Sequence, residues 1–281
     1  MGKLLSSEFR RLFHSRIYYL GMLFMLGFAV LLVVSRYRDT VVSTLYADLT
    51  ADGLWFMGGT YFSLVVSIFV GMFIGAEHED GAIRNKLAVG HTRGAIFFSD
   101  WLVSVTAALM MHLIYIVAIL GLGFALLGAF LTPVKTLVLC TLTSLGTVVA
   151  MTSLYLVIAL LIQSKATGAI VCIVMALVLM FSITTVFQRL MEPEYFEHSI
   201  EMNEKGELVQ GDPVENKDYL SGTAREVHLF LMDFLPEGQM IQYAMGESEP
   251  ENLDWFPLYS LLFGGFFLVG GYICFRRRDI R

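Results

Sequence analysis

The sequence predicts an all-α membrane protein with six transmembrane helices, an amphipathic N-terminal helix ahead of the first, and a small extracellular domain between helices 5 and 6. Three observations predict it. Of 281 residues, 56% are apolar and 16% charged, against about 25% charged in soluble domains. The apolar residues gather into six runs, 17–34, 56–76, 102–131, 134–162, 166–187 and 255–275, each near the ~20 residues that cross a ~30 Å hydrocarbon core. Lys and Arg also collect on one side of that arrangement, as positive-inside insertion requires.

The elements follow in chain order. Residues 4–16 carry Leu5, Phe9, Leu12 and Phe13 on one helical face and Arg10, Arg11 and His14 elsewhere, an interfacial amphipathic helix within a 1–16 segment. The first span is longer than a signal-peptide core and no small-residue cleavage site follows, so it reads as an uncleaved anchor. A short connection leads to Trp55, Phe56 and Tyr61, which suit the interfacial aromatic belt. Thr132-Pro133 turns between spans three and four, and Gln163-Ser164-Lys165 between four and five. The 188–254 segment is acidic and turn-rich (Gly206, Gly211-Asp212-Pro213, Gly222), yet 224–246 has helical periodicity through Val227, Phe230, Leu231 and Phe234, with Pro236 as its stop. It is expected to be a small, partly helical cap. Span six, 255–275, leads into a basic tail, 276–281.

With six spans, both termini lie on one side. That side holds 12 of the 19 Lys and Arg and 6 of the 25 acidic residues, which predicts a cell-membrane protein with both termini and the 77–100 loop in the cytoplasm. The acidity is therefore an extracellular property and implies no nucleic-acid partner. Cys140, Cys172 and Cys274 all fall in apolar runs, as small buried hydrophobes rather than a disulfide or redox set.

Catalytic motifs are missing. There is no G-x-x-x-x-G-K-[ST] loop to hold nucleotide phosphates, no second His after His78-Glu79 for a zinc site, and no G-x-S-x-G elbow. Glu77, His78, Glu79 and Asp80 are consecutive and cannot converge on one ion, so no metal site is expected. None of the six runs contains Asp or Glu, which disfavours an ion-coupled carrier. His112 is the one titratable group in 102–131; it is either a structural hydrogen-bonded His or a substrate-facing polar group.

What remains is the charged island 77–93, EHEDGAIRNKLAVGHTR. Asp80 can cap a helix that begins at Gly81, and Gly90 can end it. Ile83 and Leu87 share one face, with Arg84, Asn85 and Lys86 elsewhere. A helix this short is marginal alone and needs a surface, lipid or protein. Gly71-x-x-x-Gly75 permits close helix contact.

The segment 77–102, with its acidic pair, Gly, I-R-N-K-L core, Gly, Arg and a new span, resembles the loop of ABC type-2 transporter permeases. The lead-in helix, the six spans, the large loop before the last one, the Pro236-Glu237-Gly238-Gln239 element and the basic tail are similar too. The resemblance implies a permease subunit of an ATP-driven exporter, with two permease chains, identical or related, paired with two ABC ATPase subunits. Glu77, Glu79, Asp80, Gly81, Ile83, Arg84, Asn85, Lys86 and Leu87 would then form the ATPase-coupling segment. Ile83 and Leu87 would fill the groove's apolar floor, Arg84 and Lys86 its polar contacts, and Glu77 and Glu79 would pair with nearby basic groups. ATP and Mg would be bound by the partner, not by this chain. The cargo implied is apolar or amphipathic: a drug, antimicrobial peptide or lipid. A non-transporting scaffold or sensor with an extracellular ligand-binding loop is the alternative.

Overall fold

A computed structural model of the chain describes residues 2–42, 52–128, 130–196, 200–202, 208–210, 213–245 and 250–278. The turn residues Gly206, Gly211 and Asp212, the tail residues Asp279, Ile280 and Arg281, and the middle of the connection before Trp55 lie outside these. Helix α1 (Gly2–Phe13) precedes α2 (Arg16–Val42) and α3 (Asp52–Glu79). A short α4 (Ala82–Ala88) leads to α5 (Arg93–Ala118), which continues through a π turn at Ile119–Gly123 into α6 (Phe124–Leu127). Then come α7 (Val134–Leu161) and α8 (Lys165–Met191). Two small antiparallel ribbons follow, β1 (Tyr195–Phe196) with β4 (Val214–Glu215) and β2 (Ile200–Met202) with β3 (Leu208–Gln210). The chain closes with α9 (Gly222–Phe234), α10 (Pro236–Met245) and α11 (Phe256–Arg277).

Among the described residues, six helices are long and apolar enough to cross a membrane: α2, α3, α5 with α6, α7, α8 and α11. Lipid cannot pair with hydroxyls or backbone, so polar side chains turn inward and close contact is made by small residues. Helix α7 shows it best. Its Thr143, Ser144, Thr147, Thr152 and Ser153 are buried, and it packs against α3, α5, α8 and α11 at the centre. Gly71 and Gly75 of α3 sit on α8 so tightly that added Cβ atoms would come within 2.7 Å of Ala169 Cα and 2.9 Å of Lys165 Cα. Large apolar side chains such as Leu20, Leu23 and Leu31 of α2, and Phe266 and Val269 of α11, point outward. Cys274 is exposed as well, unlike the buried Cys140 and Cys172. The expectation of three buried cysteines therefore fails at Cys274.

Two boundaries depart from expectation. Helix α5 begins at Arg93, where Thr92 Oγ1 accepts from Ala95 N at 3.2 Å. Asp100 is thereby drawn into the helix instead of the loop. Pro236 stops α9 as expected, with Leu235 extended before it, but the chain does not then run into coil: Pro236 also opens α10, since a ring at the first helical position costs no hydrogen bond. The resulting α9–α10 hairpin is no detached cap, because α10 packs against α3, α7 and α8.

Candidate functional site: a buried charge cluster and a polar hairpin tip

Four elements meet at one end of the bundle. Asp80 N donates to Ala76 O at 2.9 Å and so prolongs the last turn of α3. Gly81, at φ 65°, then swings the chain into α4, and no side chain caps that helix. The capping role expected of Asp80 falls to backbone geometry instead. At the other end of α4, Gly90 (φ 96°) donates to Leu87 O at 3.0 Å and His91 N to Lys86 O at 3.1 Å, the paired bonds of a glycine-terminated helix.

These turns aim Lys86 inward. Its Nζ lies 2.8 Å from Glu8 Oε1 of α1, 2.5 Å from Glu77 Oε2 of α3 and 3.2 Å from Asp100 Oδ1 of α5. Arg11 of α1 reaches Glu8 at 3.0 Å, pairs with Glu77, and stacks its guanidinium 3.9 Å above the Phe73 ring. Glu8, Glu77 and Asp100 are all buried. Three buried carboxylates thus share two cations, Lys86 and the partly exposed Arg11. Burial alone would lower the Lys86 ammonium, but Asp100, Glu77 and Glu8 outweigh it and hold the group above its ordinary value. Burial, and next the neighbouring Glu77, raises Glu8, against the opposing pull of Arg11 and Lys86. The carboxylate donors approach within 4.8 Å of one another, the spacing of a cation site. The ammonium of Lys86, 3.2 Å or less from each, serves as the cation.

The expected exposed faces of α4 need correction. Lys86 does not point outward, and Ile83, 1% exposed, is packed into the chain's own core with Leu87 half-buried beside it. Arg84, Asn85, Ala88 and Val89 form the exposed edge. The predicted pairing of Glu77 and Glu79 with basic groups is seen: Glu79 Oε2 meets Lys165 Nζ at 2.8 Å, an exposed pair screened by water. Arg93 instead donates to the carbonyls of Phe275, Arg276 and Arg278 at the end of α11, where a cation meets the helix's negative pole.

Further along the bundle, His112 Nε2 lies 3.1 Å from Ser144 Oγ and its ring 5.1 Å from that of Phe62. It is buried inside this chain's bundle, between α5 and α7.

Sequence reasoning left one carboxylate out. Glu237, at the tip of the α9–α10 hairpin, is 3% exposed. Its Oε1 accepts from Ser63 Oγ at 2.9 Å, and Ser63 Oγ lies 2.5 Å from the Tyr155 hydroxyl. Ser63 and Thr147 beside it stand 10 and 13 residues into α3 and α7 from Gly53 and Val134, so the tip reaches ~15–20 Å along those spans. The six apolar runs hold no Asp or Glu, yet two carboxylates outside them are buried in the bundle: Asp100 within α5 and Glu237 against α3 and α7. Burial raises the Glu237 carboxyl to about 7, against the first-turn amides of α10 and the Ser63 donor, which favour the ion. Gly238 permits the turn: a Cβ there would fall 2.4 Å from Met232 O. Gln239 ties the tip to α11, its Oε1 accepting from Ser260 Oγ at 2.7 Å and its Nε2 donating to Asp233 O at 2.8 Å. The signal available in sequence was the Pro-Glu-Gly-Gln run itself: an acid directly after a helix-opening proline, in an otherwise apolar setting.

Comparison with known proteins gives one family. The profile described as ABC-2 family transporter protein matches residues 4–191, about two thirds of the chain. The match covers every member of the charge cluster and ends before the hairpin. No curated protein matches the chain.

Proposed function

The chain belongs to the ABC-2 transporter family, and from that premise we propose that α4 docks on a separate ABC ATPase and passes its motion to the spans through Lys86. Membership makes the protein a multi-pass permease component of an ABC transporter, a family that works with an ATPase partner. The α1, α4 and α11-terminal end is cytoplasmic, in the cell membrane, with α1 as an elbow helix along the interface. Two permease chains pair with two ATPases, which bind ATP and Mg. The part of 188–254 outside the bundle faces the exterior. The cargo is exported and is apolar or amphipathic, since the outward faces of the spans are apolar.

The observation that carries this is the division of labour within α4 and its C-cap Val89. Arg84, Asn85, Ala88 and Val89 lie open, while Ile83 and Lys86 anchor α4 to α1, α3 and α5. A helix that merely rested on headgroups would turn its apolar residues outward; here Ile83 is internal, and the outer edge is mixed, as a protein groove requires. A push on that edge is delivered to three membrane elements at once.

The test is co-purification with a candidate ABC ATPase. Arg84→Glu with Val89→Asp should abolish association and permease-stimulated ATP hydrolysis while expression and melting temperature stay unchanged. Undiminished association would overturn the docking surface.

A further inference from the structure

We propose that Glu237, hydrogen-bonded to Ser63 and through it to Tyr155, is a proton-binding site, and that its neutral form keeps the α9–α10 hairpin inserted between α3 and α7. The inference does not depend on which partner α4 meets.

The geometry carries it in three steps. First, Glu237 has one satisfied and one unsatisfied oxygen. Oε1 accepts from Ser63, whereas Oε2 is buried without a hydrogen-bond partner. Second, a cavity of about 10 Å³ lies beside it, lined by Gly59, Phe62, Ser63, Thr147, Met151 and Met240 together with Pro236 and Glu237. That is close to the least space a single water needs, room for one proton carrier but not for the bulk solvent that would stabilise a charge. Third, no cation compensates. Among the described residues Glu237 has no ion-pair partner. The groups packed around the tip are Ser63 from α3, Tyr155 and Thr147 from α7 and Ser260 from α11, while Ile183 from α8 shares an apolar cluster with Ile241 further along α10. Asp233 of α9 is engaged by Gln242 and Asn252. Tyr155 is the titratable neighbour in direct contact with the network.

An ionised carboxylate without a counter-charge at this depth is costly. The neutral acid removes that cost and gains an O–H for Oε2 to donate to a cavity water. The opposing pull comes from the first turn of α10, whose free amides favour the ion, and from the Ser63 hydroxyl. The balance makes both forms accessible, and the ionised form must either admit water to the tip or lift the hairpin from its slot.

Infrared difference spectroscopy on the full chain in lipid nanodiscs, titrated between about pH 5 and pH 9, reads the carboxylic carbonyl directly. The expected result is a protonated-carboxyl band that disappears as pH rises through neutrality and is missing in Glu237→Gln. Ser63→Ala removes a donor to the ion and should move the midpoint up by about one pH unit or more; Tyr155→Phe should move it the same way by less. These two assign the band even if Glu237→Gln does not fold. Amide exchange in α10, corrected for intrinsic rate, should rise above the midpoint. An absent band across the range means Glu237 stays ionised and overturns the proposal. So does a midpoint that shifts when choline is exchanged for sodium, which would make this a metal-cation site. Exchange in α10 that is indifferent to the midpoint overturns the hairpin's dependence on the proton.

Discussion

Lys86 sits among three buried carboxylates from three different elements, and the physics of such a group is asymmetric. Exchanging the whole set for apolar residues would cost little, but removing one partner strands uncompensated charge. Lys86→Met is therefore expected to destabilise the protein by about 3–5 kcal/mol, seen as a lowered melting temperature in detergent. Glu77→Gln added to it should restore part of that loss, because one of the stranded charges is then gone. Glu237 makes a pH prediction of definite sign. Its carboxyl is raised from 4.5 to about 7 in the fold, so the folded chain keeps a proton that the unfolded chain releases. Stability is unaffected below the unfolded value and falls as pH climbs from there to about 7, by roughly 3 kcal/mol in total at ~1.4 kcal/mol per unit. Melting temperatures measured at acid and neutral pH should show this decline, and Glu237→Gln should flatten it.

At the scale of elements, two close approaches and one backbone angle make decisions that side-chain chemistry does not. Gly238 lies against the Met232 carbonyl and Gly71 against Ala169 Cα. Backbone cannot yield as a flexible side chain can, so Gly238→Ala and Gly71→Ala should each cost about 1–3 kcal/mol. The first should loosen α10 and the second part α3 from α8, which a disulfide trial between α3 and α8 would report as slower crosslinking. Gly90 has open space around it but a φ of 96°. Gly90→Ala should weaken the end of α4 by about 1 kcal/mol through strain alone, measured as faster amide exchange in 82–91 with the membrane helices unchanged. The contrast between steric and dihedral glycines is invisible in the letter G.

The whole molecule has two chemically distinct ends. One gathers α1, α4, the α7–α8 turn through Glu79–Lys165, and the end of α11 through Arg93 and Arg278. The other carries the ribbons and the mouth of the hairpin. In a cysteine-free background, single cysteines at Arg84 and Ser164 should label with an impermeant maleimide from the same side of sealed vesicles, and one at Val214 from the opposite side. Labelling of Arg84 and Val214 positions from a common side would refute the six-crossing arrangement.

Sequence by itself was enough for the class, the six spans within a few residues, the charged end, and a short helix between 81 and 90, because each depends on local composition, length or a glycine at a fixed place. It also revealed that Glu77 and Glu79 need basic partners, though not which ones. Only the tertiary structure decided that Lys86 points inward, that Asp100 belongs to α5, that His112 is internal, and that Glu237 is drawn 174 residues across the chain to Ser63. The physical reason is common to all four. A helix apolar on every side carries no rotational signal, so its inward face is chosen by where small and polar residues from distant segments can pair out of reach of lipid.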